Sequence, residues 1–308
     1  MSPLPYIIVI VGSTASGKTA LALNIAQRIP AEIISADSRQ IFKHLNIGTA
    51  KPSPDELRTV PHHFVDYLEP DQKFNAGDFQ VQGRAVIAEI IARGKQPIVV
   101  GGTGLYIQAL IDGFFEQPQI SGEVRERLEQ KLSVEGRDAL FRELTSIDPE
   151  SAATMDATKY RRVIRALEVF YETGTPISKF HQMHSVQKIY DSHFYGLQWD
   201  RNVLYERINK RVDAMLAAGF LDEVKALRKS GLDDRFQSLQ TVGYKEAFAY
   251  IRNEISRERM IELMKQNTRR FAKRQMTWFR KEERIGWFSI SSPEQIDDIA
   301  GQIISRRI

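Results

Sequence analysis

Gly12-Ser13-Thr14-Ala15-Ser16-Gly17-Lys18-Thr19 constrains this chain more than any other stretch. It fits the pattern G-x-x-x-x-G-K-S/T and lies between the apolar, β-branched run YIIVIV at 6–11 and a segment of helical composition at 20–29. Gly12 and Gly17 let the backbone wrap with its N–H groups facing inward, forming a nest for an anion, and the following helix adds its positive end. Lys18 neutralises phosphate charge, and the Thr19 hydroxyl is the candidate ligand for Mg²⁺. At average composition the four fixed positions match by accident in roughly 1% of chains this long. The strand–loop–helix setting lowers that further, so a merely structural glycine turn is the weaker reading. The loop specifies a phosphate without saying which, because a nucleoside triphosphate and an organic diphosphate present the same groups. No apolar run ends in Asp-Glu as a Walker B strand would, and the nearest carboxylate at a strand end is Asp37.

The rest of the pattern suits an open sheet. The segments EIISA (32–36) and QPIVVGG (96–102) read as buried strands, and 78–93 reads as a helix with Phe79, Gly83, Val86, Ile87, Ile90 and Ile91 on one side. Alternating strands and helices, with glycines at strand ends, predict an α/β fold with a P-loop NTPase-like parallel sheet core. From residue 115 to 192 polar helices at 122–145, 158–173 and 176–190 follow one another without strands, which predicts a helical insertion domain. The core, 1–114 and 193–308, resumes with HFYGLQW (193–199), continues as helices over 202–284, and closes with the strand IGWFSI and a helix from Pro293.

Composition narrows the chemistry. The 308 residues, 42% hydrophobic and 27% charged, supply enough apolar material for a sizeable core and argue against disorder. The absence of cysteine excludes disulfides, thiolate metal sites and a cysteine nucleophile. No run approaches a membrane span, and MSPLPYIIVIVG reads as a first strand, not a signal peptide, so a cytoplasmic protein without membrane contact is expected. The formal charge of +4 is a weak hint of an anionic partner, but 265–281 carries seven Lys or Arg and no acidic residue. Its Phe271, Trp278 and Phe279 either pack this helix down or stack on splayed bases. Arg161 and Arg165 lie one helical turn apart, which is a second basic surface. The pairs His62-His63 and His181/His184 lack a carboxylate spacing that would make them a metal site.

Asp37 and Thr103 each follow a strand, so both fall at the carboxyl edge of the sheet, where open α/β sheets bind ligands. Asp37 is a candidate general base and Thr103 a candidate hydrogen-bond donor to a leaving oxygen. Capping offers a plainer account. Asp37 and Gln40 have capping-box spacing, and Thr103 precedes the helix that begins at Leu105. The phosphate loop on the same edge favours the catalytic reading.

The ordered set GSTASGKT (12–19), DSRQIF (37–42), GGTGLY (101–106), RRVIRALE (161–168), VGYKEA (242–247) and RRFAKRQMTWFRK (269–281) resembles the bacterial tRNA dimethylallyltransferase family over nearly the whole chain. Ser13 departs from the proline usual there. The resemblance implies transfer of a dimethylallyl group from its diphosphate to N6 of the adenine 3′ of the tRNA anticodon, with release of diphosphate. It implies that Gly12, Ser13, Thr14, Ala15, Ser16, Gly17, Lys18 and Thr19 bind the diphosphate with Mg²⁺, with Arg207 and Arg211 as further partners. It implies that Thr103 hydrogen-bonds the bridging oxygen and Asp37 takes the N6 proton. It implies tRNA contacts at Asp37, Ser38, Arg39, Gln40, Thr103, Arg125, Arg161, Arg162, Val163, Ile164 and Arg165, with the insertion on the anticodon arm of a tRNA bound by a monomer. The alternatives are a P-loop nucleotide or small-metabolite kinase, an isopentenyltransferase acting on free adenine nucleotides, and a non-catalytic RNA-binding protein.

Overall fold

A computed structural model describes residues 3–114, 118, 120–183 and 188–306, and the chain divides into two compact units, 1–111 with 188–308, and 112–187. In the first unit the elements begin β1 (Tyr6–Gly12), α1 (Lys18–Ala26), β2 (Ala31–Ser35), α2 (Pro54–Thr59), β3 (His62–His63), α3 (Ala76–Ala92), β4 (Gln96–Gly101) and α4 (Gly104–Ile111). The second unit is helical: α5 (Gly122–Ile147), α6 (Pro149–Ala152), α7 (Tyr160–Thr173) and α8 (Ile177–Met183). The first unit then resumes with β5 (Asp191–Trp199), α9 (Arg201–Ala217), α10 (Phe220–Lys229), α11 (Tyr244–Ile251), α12 (Arg257–Phe279), β6 (Ile285–Ile290) and α13 (Gln295–Ser305).

The six strands form one parallel sheet in the order β3-β2-β4-β1-β5-β6. Ile7 to Val11 are fully buried, as expected of a central strand covered on both faces. Strands β2, β4 and β1 are consecutive neighbours, in register through Ser35↔Val100 and Val11↔Gly101. At about 4.8 Å per strand spacing, the turn leaving β4 sits between the turns leaving β1 and β2, which are about 10 Å apart.

Two boundaries move from the sequence reading. The insertion does not extend to 192, because Asp191 and Ser192 already pair with Tyr6 and Ile7 in the sheet; its other expected limit, 115, lies outside the described residues. The third expected helix of the insertion ends at Met183, and 188–190 are not helical. Strand β3 has no signal in the sequence, because two residues carry no periodicity. Among the described residues no helix is long and apolar enough to cross a membrane.

The helical unit has its own core, in which Leu128, Leu140 and Leu144 of α5 meet Val163, Ala166 and Leu167 of α7. At the amino edge of the sheet, the buried Glu32 carboxylate takes hydrogen bonds from Arg93, Lys95 and His63 at 2.7–3.1 Å. Burial alone would raise its pKa, but the hydrogen bonds from Arg93, His63 and Lys95 outweigh it and hold Glu32 down at about 2. The folded value lies below the ordinary 4.5, so the stabilisation is present above pH 4.5 and drains away as pH falls towards 2. Glu32→Gln should therefore cost roughly 1–3 kcal/mol in urea unfolding near neutral pH, a range set between exposed and fully buried pairs. The same variant should also lose part of the wild-type decline in stability under acid.

Candidate active site

Three loops at the carboxyl ends of β1, β4 and β2 bound a cavity of about 290 Å³, all of whose lining residues belong to the first unit. That size is near the lower end of small-ligand sites. Thr14 comes from the loop after β1, Lys18 and Thr19 from the first turn of α1, Thr103 from the turn after β4, and Asp37, Ser38, Arg39 and Gln40 from the loop after β2. Helix α9 adds Arg211, Val212 and Met215, and Phe220, Met264 and Phe271 add further apolar wall. One part of the cavity is thus charged and the other largely apolar.

The phosphate loop adopts its turn through left-handed backbone at Ala15 (φ 63°) and Gly17 (φ 96°). Its outward carbonyls are tied down: Trp199 Nε1 donates to Ser16 O at 2.8 Å and Arg207 Nε to Ala15 O at 3.0 Å. Lys18 Nζ folds back onto Ser13 O at 3.2 Å. Ser16 Oγ is buried without a partner among the described residues, so an anion in the loop has a hydroxyl available to it. Burial lowers the Lys18 pKa to about 8, against the raising influence of Asp37, while Arg211 lowers it further. Burial also lowers the Arg211 pKa, opposed by Asp37. Two cations forced together in a partly dry cavity, with one carboxylate near them, form a site short of negative charge.

The plainer accounts of Asp37 and Thr103 are half right. Asp37 Oδ1 accepts from the N–H groups of Arg39 (2.9 Å) and Gln40 (3.4 Å), an Asx turn and not a helix cap. Its second oxygen takes no hydrogen bond among the described residues and remains a free acceptor. Thr103 does stand before α4, and its carbonyl accepts from Tyr106 and Ile107. Its hydroxyl, however, accepts from Ser38 N at 3.1 Å and lies 3.4 Å from Ser38 Oγ. The turn that Asp37 shapes is therefore tied to Thr103 through Ser38, the residue next to Asp37 in the chain.

Several expected contacts have other partners. Gln40 donates to the carbonyls of Thr49 and Ala50, and Arg39 to those of Gln237 and Ser238, so both hold neighbouring loops around the cavity. Arg207 does not line the cavity; it stacks 4.1 Å over Trp199 and braces the loop, whereas Arg211 lines the cavity, as does Arg274 of α12. In the helical unit Arg125 and Arg165 share the buried Glu168 carboxylate, at 3.0 and 3.2 Å. Arg161 and Arg162 are exposed. Val163 is 1% exposed in the core of that unit, so its side chain cannot be a tRNA contact, and Ile164 packs partly against the same core.

The aromatics of α12 differ in their surroundings. Phe279 is buried, Trp278 packs on Gly104, and Phe271 lines the cavity. A Cβ at Gly104 would meet Trp278 at 2.1 Å, so that glycine is required by close packing. His62 and His63 point to different partners, Val60 O and Glu32, and burial lowers the His62 pKa. His184 lies outside the described residues. Sequence reasoning missed Glu223, whose carboxylate accepts from Asn46, Ile47 and Gly48 N–H and from Tyr244 OH, holding one wall of the cavity. The motif VGYKEA signals that support, because Tyr244 is fully buried and Glu246 caps its own helix at Gly243 N.

The model of the IPP transferase family matches residues 40–282. The chain is 47% identical over 290 residues to a tRNA dimethylallyltransferase of Geobacillus thermodenitrificans, covering 94% of this chain and 92% of that one. Among solved structures it is similar to the tRNA isopentenylpyrophosphate transferase of Bacillus halodurans, with TM-score 0.72 and 39% identity over 99% of this chain and 97% of that one. It is also similar to a eukaryotic dimethylallyltransferase acting on tRNA, with TM-score 0.84 and 30% identity over 97% of this chain and 77% of the other.

The depressed Lys18 pKa makes anion binding pH-dependent. Lys18 is charged below about 8 and neutral above it in the free protein. The affinity for inorganic pyrophosphate, titrated calorimetrically, should fall as pH rises through 8, and Lys18→Arg should flatten that dependence because arginine stays charged.

Proposed function

We infer the reaction from the chain's family: it belongs to the IPP transferases, and it is a transferase that modifies tRNA. We propose that it transfers a dimethylallyl group from dimethylallyl diphosphate to N6 of the adenine 3′-adjacent to the anticodon and releases diphosphate. The observation that carries this reading is the order of the three loops. The anion cradle after β1 and the free carboxylate oxygen of Asp37 after β2 flank Thr103 after β4, all on one cavity. Family membership displaces the kinase alternative, which rested on the phosphate loop alone.

Each residue has a chemical task in this reading. The loop N–H groups, Lys18 and Arg211 hold the diphosphate, and their fixed positive charge favours the state in which the allylic C–O bond has broken. The Thr103 hydroxyl sits midway along the edge and hydrogen-bonds the bridging oxygen. The adenine N6 lone pair forms the new C–N bond as the C–O bond breaks, and Asp37 takes the proton that N6 loses. Val212, Met215, Phe220 and Met264 keep water from a carbon centre of carbocation character. Thr19 lines the cavity beside Lys18, and a hydroxyl plus the diphosphate's own oxygens suits Mg²⁺, which binds few protein groups. When bound, Mg²⁺ neutralises charge on the departing diphosphate.

The adenine must leave its stack to enter such a cavity, at a cost of a few kcal/mol. Exposed Arg161 and Arg162 on the helical unit fit contacts to the anticodon arm, as do the basic residues of α12. In this reading the enzyme acts as a monomer in the cytoplasm, where its tRNA substrate is found.

The direct test is mass analysis of tRNA after incubation with labelled dimethylallyl diphosphate: one C₅H₈ unit should appear on the anticodon-loop adenine, and unmodified tRNA overturns the reading. Asp37→Ala should lower turnover by roughly 10²–10⁴-fold while tRNA binding persists. Near-normal turnover would remove Asp37 from the mechanism.

A further inference from the structure

We propose that Gln275 is a positioning residue, a strut from α12 that fixes the separation between the anion cradle and the turn carrying Thr103. This inference rests on the reaction proposed above. Gln275 is buried at the cavity wall, and its amide spans both loops: Oε1 accepts from Thr14 N at 2.8 Å and Nε2 donates to Gly102 O at 2.9 Å. Thr14 and Gly102 lie just beyond β1 and β4, which are neighbours in the sheet, yet among the described residues no backbone bond between these two turns replaces the ladder past the strand ends. One side chain from a distant helix takes its place.

The chemistry of the position is specific. The two loop atoms are a donor and an acceptor, so the bridging group must offer one acceptor and one donor on a single planar fork. An ionised carboxylate offers two acceptors, and an aliphatic side chain offers neither. Gly102 is shaped around the strut, since a Cβ there would stand 2.1 Å from Gln275 Nε2. Thr14 N–H is directed to Gln275 and is therefore committed to the loop's position instead of to a ligand. In a reaction that needs a leaving-group cradle and the Thr103 hydroxyl to act on the same oxygen, a displacement of about 1 Å costs on the order of 10²-fold.

Gln275→Glu and Gln275→Ala test this. In steady-state transfer assays with tRNA and dimethylallyl diphosphate, Gln275→Glu should lose about 10²-fold in kcat near pH 8.5 while KM for tRNA moves less than about threefold. The introduced carboxyl, once protonated, again offers one donor and one acceptor. The ratio of variant to wild-type kcat should therefore rise about tenfold or more as pH falls to about 6, whereas Gln275→Ala should show a loss with no such pH-dependent recovery. Wild-type kcat in both variants overturns the strut. So does a loss in Gln275→Glu that is flat with pH and matched by a lower folded fraction in thermal melts. Wild-type enzyme in the same assay reports separately on the proposed reaction. Should it transfer nothing, inorganic pyrophosphate affinity decides the strut: it should be weakened in Gln275→Glu and recover at low pH, and unchanged affinity overturns it.

Discussion

A loop that turns several N–H groups toward one anion must turn its carbonyls away, and those carbonyls need partners or the loop will not hold its shape. Here the partners come from around the sheet. Trp199 of β5 donates to Ser16 O and Arg207 of α9 to Ala15 O, while Gln275 of α12 fixes the loop at a different group by accepting from Thr14 N–H. Each such bond is worth about 1 kcal/mol net, so together they resist the reorganisation that charge binding would otherwise require. The helices after residue 201 thus keep an anion cradle rigid and supply its apolar wall.

Strand order turns that cradle into a site for a two-ended reaction. The chain leaves β1, passes over a vacant position to form β2, and returns to fill the gap with β4. The loop after β4 is therefore flanked by the cradle on one side and the Asp37 loop on the other. Thr103 is joined to Ser38 and Gln275 joins Gly102 to Thr14, so the three loops form one hydrogen-bonded row. The glycines of the GGTG turn are a consequence of this crowding: Cβ atoms at Gly101, Gly102 and Gly104 would each lie 2.1 Å from Ala36 O, Gln275 or Trp278.

Only what local pattern encodes could be seen in the sequence. YIIVIV, EIISA and QPIVV read as buried strands because continuous β-branched runs need two covered faces, and the glycine–lysine loop reads from its own spacing. The same logic puts Asp37 and Thr103 on one edge. Adjacency was not legible, because the insertion of β4 between β2 and β1 is a tertiary fact with no local trace. Nor could spacing show that Arg207 faces a carbonyl while Arg211 faces the cavity, or that Val163 is core beside two exposed arginines. Gln275 was hidden by its neighbours, since a basic, aromatic stretch draws attention to its charges and not to the neutral amide among them.

The central claim is that diphosphate and extruded base occupy one cavity on opposite sides of Thr103. A crystal structure of the protein with an anticodon stem-loop and a slowly reacting thio-diphosphate analogue tests it most directly. The diphosphate should lie in the nest of residues 12–19, the bridging atom beside Thr103 Oγ1, and adenine N6 within roughly 2.6–3.2 Å of the free Asp37 oxygen. A purine bound outside the cavity, or an analogue seated away from the loop, would contradict the account.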